Sequence, residues 1–495
     1  MSMNRSSGIL LHITSLPGKY GIGTMGHEAY NFIDFLVVSG QKVWQLLPLG
    51  HTGYGDSPYQ CYSAFAGNPL LIDLEKLVEE ALLDKHDLPD HIYFDEDQVD
   101  FGKVNDSKQP ILYKVYENHK ANPSQLRQFR FKSFCQQNKK WLDDYAFFMA
   151  LKLHFKGVAW THWAEDIKHR KQDALNYYQE LLWDSIEYYK FIQYVFYKQW
   201  LELKSHANLN DIQIIGDIPL YVAYDSSDAW ANPEIFEFDE HMTPRRVAGV
   251  PPDYFSETGQ LWGNPLYNWE YIQETGFEWW LDRIEANFKL YDAVRIDHFR
   301  GLAAFWAVNY GDETAINGHW VQAPGKELLE TINQKFGKLF IIAEDLGLIT
   351  SDVVKLREDF DLPGMKILQF AFDSGEKNDF MPHTYNKNCI VYTGTHDNDT
   401  TLGHYIRSKD TDKDLMQEYF HVNANDPAWS FIKLAWSTVA DVAIAPMQDI
   451  LRLDSDSRMN FPGKASGYWK WRYSKAMLTT KHAEDLLRLT QLYGR

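Results

Sequence analysis

Eight short apolar, β-branched runs punctuate the chain, separated by longer stretches whose apolar residues recur three and four apart. The runs are Gly8–Thr14, Val43–Leu49, Ile212–Val222, Ala293–Phe299, Leu339–Asp345, Met365–Phe370, Cys389–Thr395 and Val442–Ile450. Near-continuous hydrophobicity predicts strands buried on both faces, and alternation with helical stretches predicts βα units around a parallel sheet. Eight such units predict an α/β fold, a (β/α)8 TIM barrel. Between the second and third runs lie about 160 residues, too many for one connection. They predict a helical inserted subdomain over 51–210, in which Trp141–Phe155 and Ile186–Lys204 carry helical spacing. A second interruption, 225–270, is rich in Pro, Gly and Asn and reads as a long loop region. No repeat, low-complexity tract or Pro-rich linker marks a boundary, so 1–495 reads as one barrel domain with large, mainly helical insertions at the C-terminal face of its strands.

Charge narrows the partners. There are 68 acidic and 49 basic side chains, a formal charge of −19. That field repels phosphate backbones and anionic membranes, so neither nucleic acid nor membrane is expected. Cys61, Cys135 and Cys389 form no CxxC pair, and no His cluster has zinc-like spacing. The opening apolar stretch is too short for a signal peptide, and no window of about 18 uninterrupted apolar residues exists. A soluble cytoplasmic protein is the reading. Aromatics make 15% of residues, a surplus that favours carbohydrate, whose ring faces stack on aromatic side chains. Gly21-Ile22-Gly23-Thr24-Met25-Gly26 matches G-x-G-x-x-G, but six residues separate it from the preceding run, and no ribose-binding acid ends the next. It reads as a flexible βα loop.

The chemistry lies in acids that close the runs, at the barrel end where loops surround a pocket. Asp297 ends Ala293-Val294-Arg295-Ile296, and strand alternation puts Arg295 on its face, where a guanidinium favours an ionised carboxylate. Glu344 ends Leu339-Phe340-Ile341-Ile342-Ala343, an apolar setting that favours a protonated acid. Asp345 adjoins it, and strand ends break the alternation that would choose between them; the longer reach of Glu selects Glu344. Thr395-His396-Asp397-Asn398 ends the seventh run. Its His lacks further metal ligands nearby and any GxSxG nucleophile, so hydrogen bonding to sugar hydroxyls is the better use of the cluster. Asp217, in Gly216-Asp217-Ile218-Pro219, holds the sugar or orients Arg295. One ionised and one protonated carboxyl facing a pocket suit cleavage of a glycosidic bond.

Together with Ser15-Leu16-Pro17-Gly18-Lys19-Tyr20, Trp44-Gln45-Leu46-Leu47-Pro48-Leu49, Gly55-Asp56-Ser57-Pro58-Tyr59-Gln60, Trp141-Leu142-Asp143-Asp144-Tyr145, Ala248-Gly249-Val250-Pro251-Pro252-Asp253-Tyr254-Phe255-Ser256 and Gly259-Gln260-Leu261-Trp262-Gly263-Asn264-Pro265, these motifs closely resemble the amylomaltases. These are the 4-α-glucanotransferases, or disproportionating enzymes, of the α-amylase superfamily, and the likeness spans nearly the whole chain. The resemblance implies transfer of α-1,4-glucan segments with retention. It makes Asp297 the nucleophile, Glu344 the acid/base and Asp397 the transition-state stabiliser. Asp217, Arg295 and His396 would hold the sugar, and Glu257, Gln260 and Trp262 would belong to a substrate-covering loop. Ser57, Tyr59 and Asn460 would be further glucan contacts, and Tyr54 would serve a second glucan groove. It implies no cofactor and no metal. The expected partners are an α-1,4-glucan donor and a glucose or maltooligosaccharide acceptor. Two departures stand out: His404, where the family usually places Trp, and Tyr468, where Asn commonly precedes Trp-x-Trp-Arg. A retaining α-glucan hydrolase on the same barrel and a non-catalytic glucan-binding protein are the alternatives.

Overall fold

The computed structural model describes residues 4–53, 55–252, 256–372, 378–464 and 466–495. Its centre is a parallel barrel of strands β1 (Ser6–Leu10), β2 (Val43–Gln45), β3 (Gln213–Pro219), β4 (Ala293–Asp297), β5 (Ile341–Ala343), β6 (Gly364–Ile367), β7 (Cys389–Tyr392) and β8 (Val442–Pro446). Neighbours hydrogen-bond in the order 6-7-8-1-2-3-4-5, so the expected (β/α)8 topology is present and only the seam between β5 and β6 lacks a strand ladder. Helices cover the outside. The first, His27–Val38, buries Ala29, Phe32, Ile33 and Leu36, the spacing of one helical face. Its Phe32 meets the fully buried Trp44 of β2 edge-on at 5.0 Å. Among the described residues no α-helix separates β6 from β7.

Every predicted strand exists, and every one ends two to four residues before its apolar run does. The cause is burial above the sheet. Ile13, Leu16, Leu46, Leu47, Leu220, Phe299, Leu368 and Met447 lie past the ladders yet are at most 1% exposed. The chain there turns into 3-10 segments such as Ile13–Ser15, Phe299–Leu302 and Leu368–Phe372, or into the short helix Met447–Ile450.

The region between β2 and β3 is helical, with Phe101–Ala121, Gln125–Gln137, Lys139–His154, Gln172–Leu181 and Trp183–Leu209. The last of these runs back to the barrel, where the Trp200 indole donates to the Leu290 carbonyl at 3.0 Å. The stretch read as loop, 225–270, holds more order than its composition suggests. It contributes strands Arg246–Val250 and Gln260–Pro265 to an antiparallel sheet with Ala304–Asn309 and His319–Gln322, which lie between β4 and β5. The glycine-rich segment after β1 is a βα loop, and it is mostly buried. A Cβ on Gly26 would stand 2.0 Å from the Asp73 carboxylate, so the glycine permits that close packing.

A main-chain bond and a side chain both span the seam. Ala343 N–H donates to the Pro363 carbonyl at 2.9 Å, and beyond it the Asp345 carboxylate accepts from Met365 N–H at 2.7 Å while pairing with Arg357 at 3.2 Å. Asp345 thus extends the β5–β6 contact where the backbone ladder stops. A Cβ on Gly364 would fall 2.4 Å from that carboxylate, so the residue opposite must be glycine. Replacing Asp345 with Ala removes the acceptor of Met365 N–H and the carboxylate paired with Arg357, and should lower unfolding free energy by about 1–3 kcal/mol. Urea denaturation followed by far-ultraviolet circular dichroism measures it, and an unchanged midpoint would show that the seam closes without Asp345.

Candidate active site

The site begins with strand register. β3 and β4 pair with Asp217 opposite Arg295 and Pro219 opposite Asp297. Arg295 therefore reaches both acids: Nη1 donates to Asp217 Oδ1 and Oδ2 at 2.8 Å each, and Nη2 contacts Asp297 Oδ1 at 2.7 Å. The Arg295 and Asp217 side chains are 4% and 0% exposed, whereas Asp297 keeps 29%. Asp217 is the sealed partner of the cation and Asp297 the open one, as the alternation of Arg295 and Asp297 on one face predicts.

Tyr59 enters from the loop after β2, its N–H donating to Ser57 Oγ at 3.2 Å. Its hydroxyl donates to Asp217 Oδ2 at 2.7 Å and lies 2.9 Å from His396 Nε2. A phenol has one proton, so with that proton on Asp217 the Tyr59 oxygen accepts from His396, and His396 carries hydrogen on Nε2. The two rings also stack, with centroids 5.3 Å apart and planes 17° from parallel.

At the end of β5, neighbouring acids face opposite ways. Asp345 belongs to the seam, while the Glu344 carboxyl accepts from His298 N–H at 2.7 Å and from Leu346 N–H at 3.1 Å. The question that alternation left open is thus answered by which acid the β6 backbone captures. Burial pushes Glu344 up to about 8, opposed by Arg295 and reinforced by the charge of Asp297. Glu344 holds its proton where Asp297 has a guanidinium in contact. His298, next in chain to Asp297 and hydrogen-bonded to Glu344, joins the two acids through one peptide.

Asp397 is the third acid. Its Oδ1 accepts from Asn460 Nδ2 at 2.6 Å, and its Oδ2 lies 3.3 Å from His396 Nε2. Burial works to raise its pKa, but His396 and the Asn460 amide outweigh it and hold the carboxyl well below the usual carboxylate range. The side chain is still 41% exposed, so it is deep but open to the pocket.

The antiparallel sheet contributes Gln260 and Trp262. Trp262 Nε1 donates to Gln260 Oε1 at 3.2 Å, and the Trp262 ring meets the His298 ring edge-on at 4.7 Å. Tyr59, Asp217, Arg295, Asp297, Glu344, His396, Asp397, Asn460 and Trp262 therefore form one connected cluster. Ser57 bonds the Tyr59 peptide, Glu257 lies exposed on the hairpin, and Tyr54 falls outside the described residues. His404 packs near Phe431 at 6.4 Å and Tyr468 near Phe461 at 5.6 Å. Among the described residues, no group of three or more His, Cys, Asp or Glu could hold a metal ion, and no helix is long and apolar enough to cross a membrane.

Sequence reasoning missed His298, Trp469 and Arg458. His298 is a non-glycine residue at φ 55°, a conformation that no local pattern announces. Trp469 packs against both Tyr59 and His396 at 5.7 and 5.8 Å, a partner visible only once the barrel closes.

Comparison with known proteins agrees with this geometry. The sequence profile of the 4-alpha-glucanotransferase family matches residues 11–479. A 4-alpha-glucanotransferase of Clostridium butyricum is 48% identical over 489 residues, 98% of this chain and 100% of that enzyme. The amylomaltase of Streptococcus agalactiae, solved in complex with acarbose, superposes with a TM-score of 0.96 at 43% identity over 99% of both chains. The amylomaltase of Corynebacterium glutamicum shares the fold at 16% identity, with a TM-score of 0.80 over 99% of this chain and 75% of that one.

The protonated Glu344 has a measurable signature. Its folded pKa, about 8, lies above the ordinary 4.5, so the folded state keeps a proton that the unfolded chain has lost. Its contribution to stability is full below pH 4.5, declines as pH rises through the interval and is gone above about 8. A Glu344→Gln protein cannot ionise there, so its stability relative to the parent should climb between about pH 5 and about pH 8. Denaturant titrations at the two values check this, and a constant difference would mean that Glu344 ionises normally.

Proposed function

The chain belongs to the 4-alpha-glucanotransferase family, and from that premise we propose that its three strand-end acids divide the work of a retaining transfer between α-1,4-glucans. Asp297 attacks the anomeric carbon while Glu344 gives its proton to the departing glycosidic oxygen, leaving a β-glucosyl ester on Asp297 and a free 4-hydroxyl on the released chain. Glu344, now ionised, then takes the proton from the 4-hydroxyl of an acceptor. That oxygen displaces Asp297 and rebuilds the α-linkage. Asp397 bonds the hydroxyls of the distorted ring, an interaction that strengthens as positive charge develops. Retention by this route calls for about 5–5.5 Å between the Asp297 and Glu344 carboxyl groups.

One observation carries the assignment: two acids joined by the His298 peptide have opposite surroundings, Glu344 driven towards its neutral form and Asp297 in contact with Arg295. Opposed environments of this kind are how an acid and a nucleophile are told apart. Asp217, Arg295, His396 and Tyr59 would hold the sugar at the cleaved linkage. Ser57, Asn460, Glu257, Gln260, Trp262 and Tyr54 would line the glucan path. Transfer requires an acceptor sugar to outcompete water. Positioning against aromatic faces and exclusion of solvent by the Trp262 strand favour that outcome.

We read 1–495 as a single catalytic domain interrupted by 51–210 and by the covering region 225–270. The first supplies Ser57 and Tyr59, and the second Gln260 and Trp262. The donor would be a maltodextrin or a starch- or glycogen-derived chain, and the acceptor glucose or a maltooligosaccharide. Free thiols at Cys61, Cys135 and Cys389 support a cytoplasmic setting.

Incubation with maltotriose tests the reaction: glucose and longer chains should form with no net gain of reducing ends. A steady rise in reducing ends would make the enzyme a hydrolase. Asp297→Ala should lower transfer by roughly 10⁴-fold, and unaltered activity would remove that residue from the mechanism. With Glu344 as proton donor, kcat/KM should fall as pH rises through about 8. An alkaline limb well below that value would mean that another group donates the proton.

A further inference from the structure

Asp397 is oriented by few contacts. Its carboxyl is open to the pocket, and among the described residues the groups that bond it are His396 at 3.3 Å and the Asn460 amide at 2.6 Å. Asn460 itself lies on an irregular segment after the 3-10 turn Ser455–Ser457, with neither helix nor strand to fix it. A side chain that must meet a transient charge distribution needs its own supports held to a fraction of an ångström.

We propose that Arg458 is the positioning residue that fixes Asn460 against Asp397. Its Nη2 donates to the Asp397 main-chain carbonyl at 2.5 Å, and its Nε donates to the Asn460 main-chain carbonyl at 2.6 Å. One rigid fork therefore ties the backbone of the acid to the backbone of the residue whose amide holds the carboxylate. The Asn460 side chain closes the ring by bonding Asp397 Oδ1, and Asn460 N–H donates to the His396 carbonyl at 3.1 Å. The guanidinium sits over the Phe461 ring, its Cζ 3.9 Å from the centroid. Both donors of the clamp meet peptide oxygens, so through them Arg458 acts on Asp397.

The planar fork is the essential property. A lysine ammonium keeps the charge but cannot present two donors in fixed register to two carbonyls. The clamp therefore predicts that Arg458→Lys fails almost as badly as Arg458→Met, whereas a purely electrostatic role predicts that lysine suffices.

The proposal rests on the reading of Asp397 as transition-state stabiliser, so Asp397→Asn is measured alongside. In the full-length enzyme with maltotriose, both Arg458 variants should lose about tenfold to a hundredfold in kcat. KM should stay within about twofold, the mark of an interaction made only in the transition state. Full kcat in Arg458→Lys would overturn the clamp, as would a raised KM with kcat intact, which would make Arg458 a direct glucan ligand. Should either protein fail to fold by circular dichroism, Asn460→Ala severs the same ring at the carboxylate. It should give a comparable loss of kcat, and full kcat there would refute the proposal. Full kcat in Asp397→Asn would overturn the role of Asp397, and the clamp with it. An inactive Asp397→Asn beside a fully active Arg458→Lys would sink the clamp alone.

Discussion

One guanidinium, sealed at the mouth of the barrel, sets the electrostatics of this site. Removing a cation from water is expensive unless its donors are met, and Arg295 meets them with two carboxylates, one sealed and one open. Backbone pairing does the positioning. Asp217 lies beside Arg295 across the ladder, and Asp297 follows two residues later on the same face. No loop has to find its place for these three charges to meet.

Around that fixed cation, three carboxyls of similar intrinsic acidity are driven apart. Glu344 is buried with two peptide N–H groups on its oxygens, and burial prevails, so its proton stays. Asp397 is deep too, but His396 and the Asn460 amide favour its charge, and the pocket solvates what remains exposed. Asp217 has both oxygens on Arg295 and a further bond from Tyr59. Environment, more than residue type, assigns their tasks. The covering strand joins this arrangement through Trp262, whose ring rests against His298, the residue that also braces Glu344.

The barrel and its acids were legible because both follow from periodicity. Apolar runs announce the eight strands, and an acid at the end of a run announces a residue at the rim. Periodicity says nothing of where a ladder stops, since Ile13, Leu220 and Met447 stay buried after it. It was silent on the antiparallel sheet, whose strands Arg246–Val250 and Gln260–Pro265 are short and partly solvated. It could not choose between Glu344 and Asp345, because Met365 N–H and Arg357, which capture Asp345, lie beyond the strand that bears it. Asn460, Tyr59, Ser57 and the covering residues came from resemblance alone, and Arg458 and His298 from neither. Their roles arise from contacts between segments remote in the chain, or from a left-handed backbone that no composition encodes.

The two adjacent acids just past β5 bring the seam and the buried proton of Glu344 side by side. Asp345 bonds Met365 N–H across the unladdered edge, and the neighbouring Glu344 owes its raised pKa chiefly to burial. If that edge parts, water reaches the glutamate, its acidity returns to that of a free side chain, and at neutral pH the proton departs. The protonation of Glu344 and the intact cylinder are therefore linked. On the proposed assignment of Glu344 as proton donor, a molecule whose edge has parted would fall silent before it unravels.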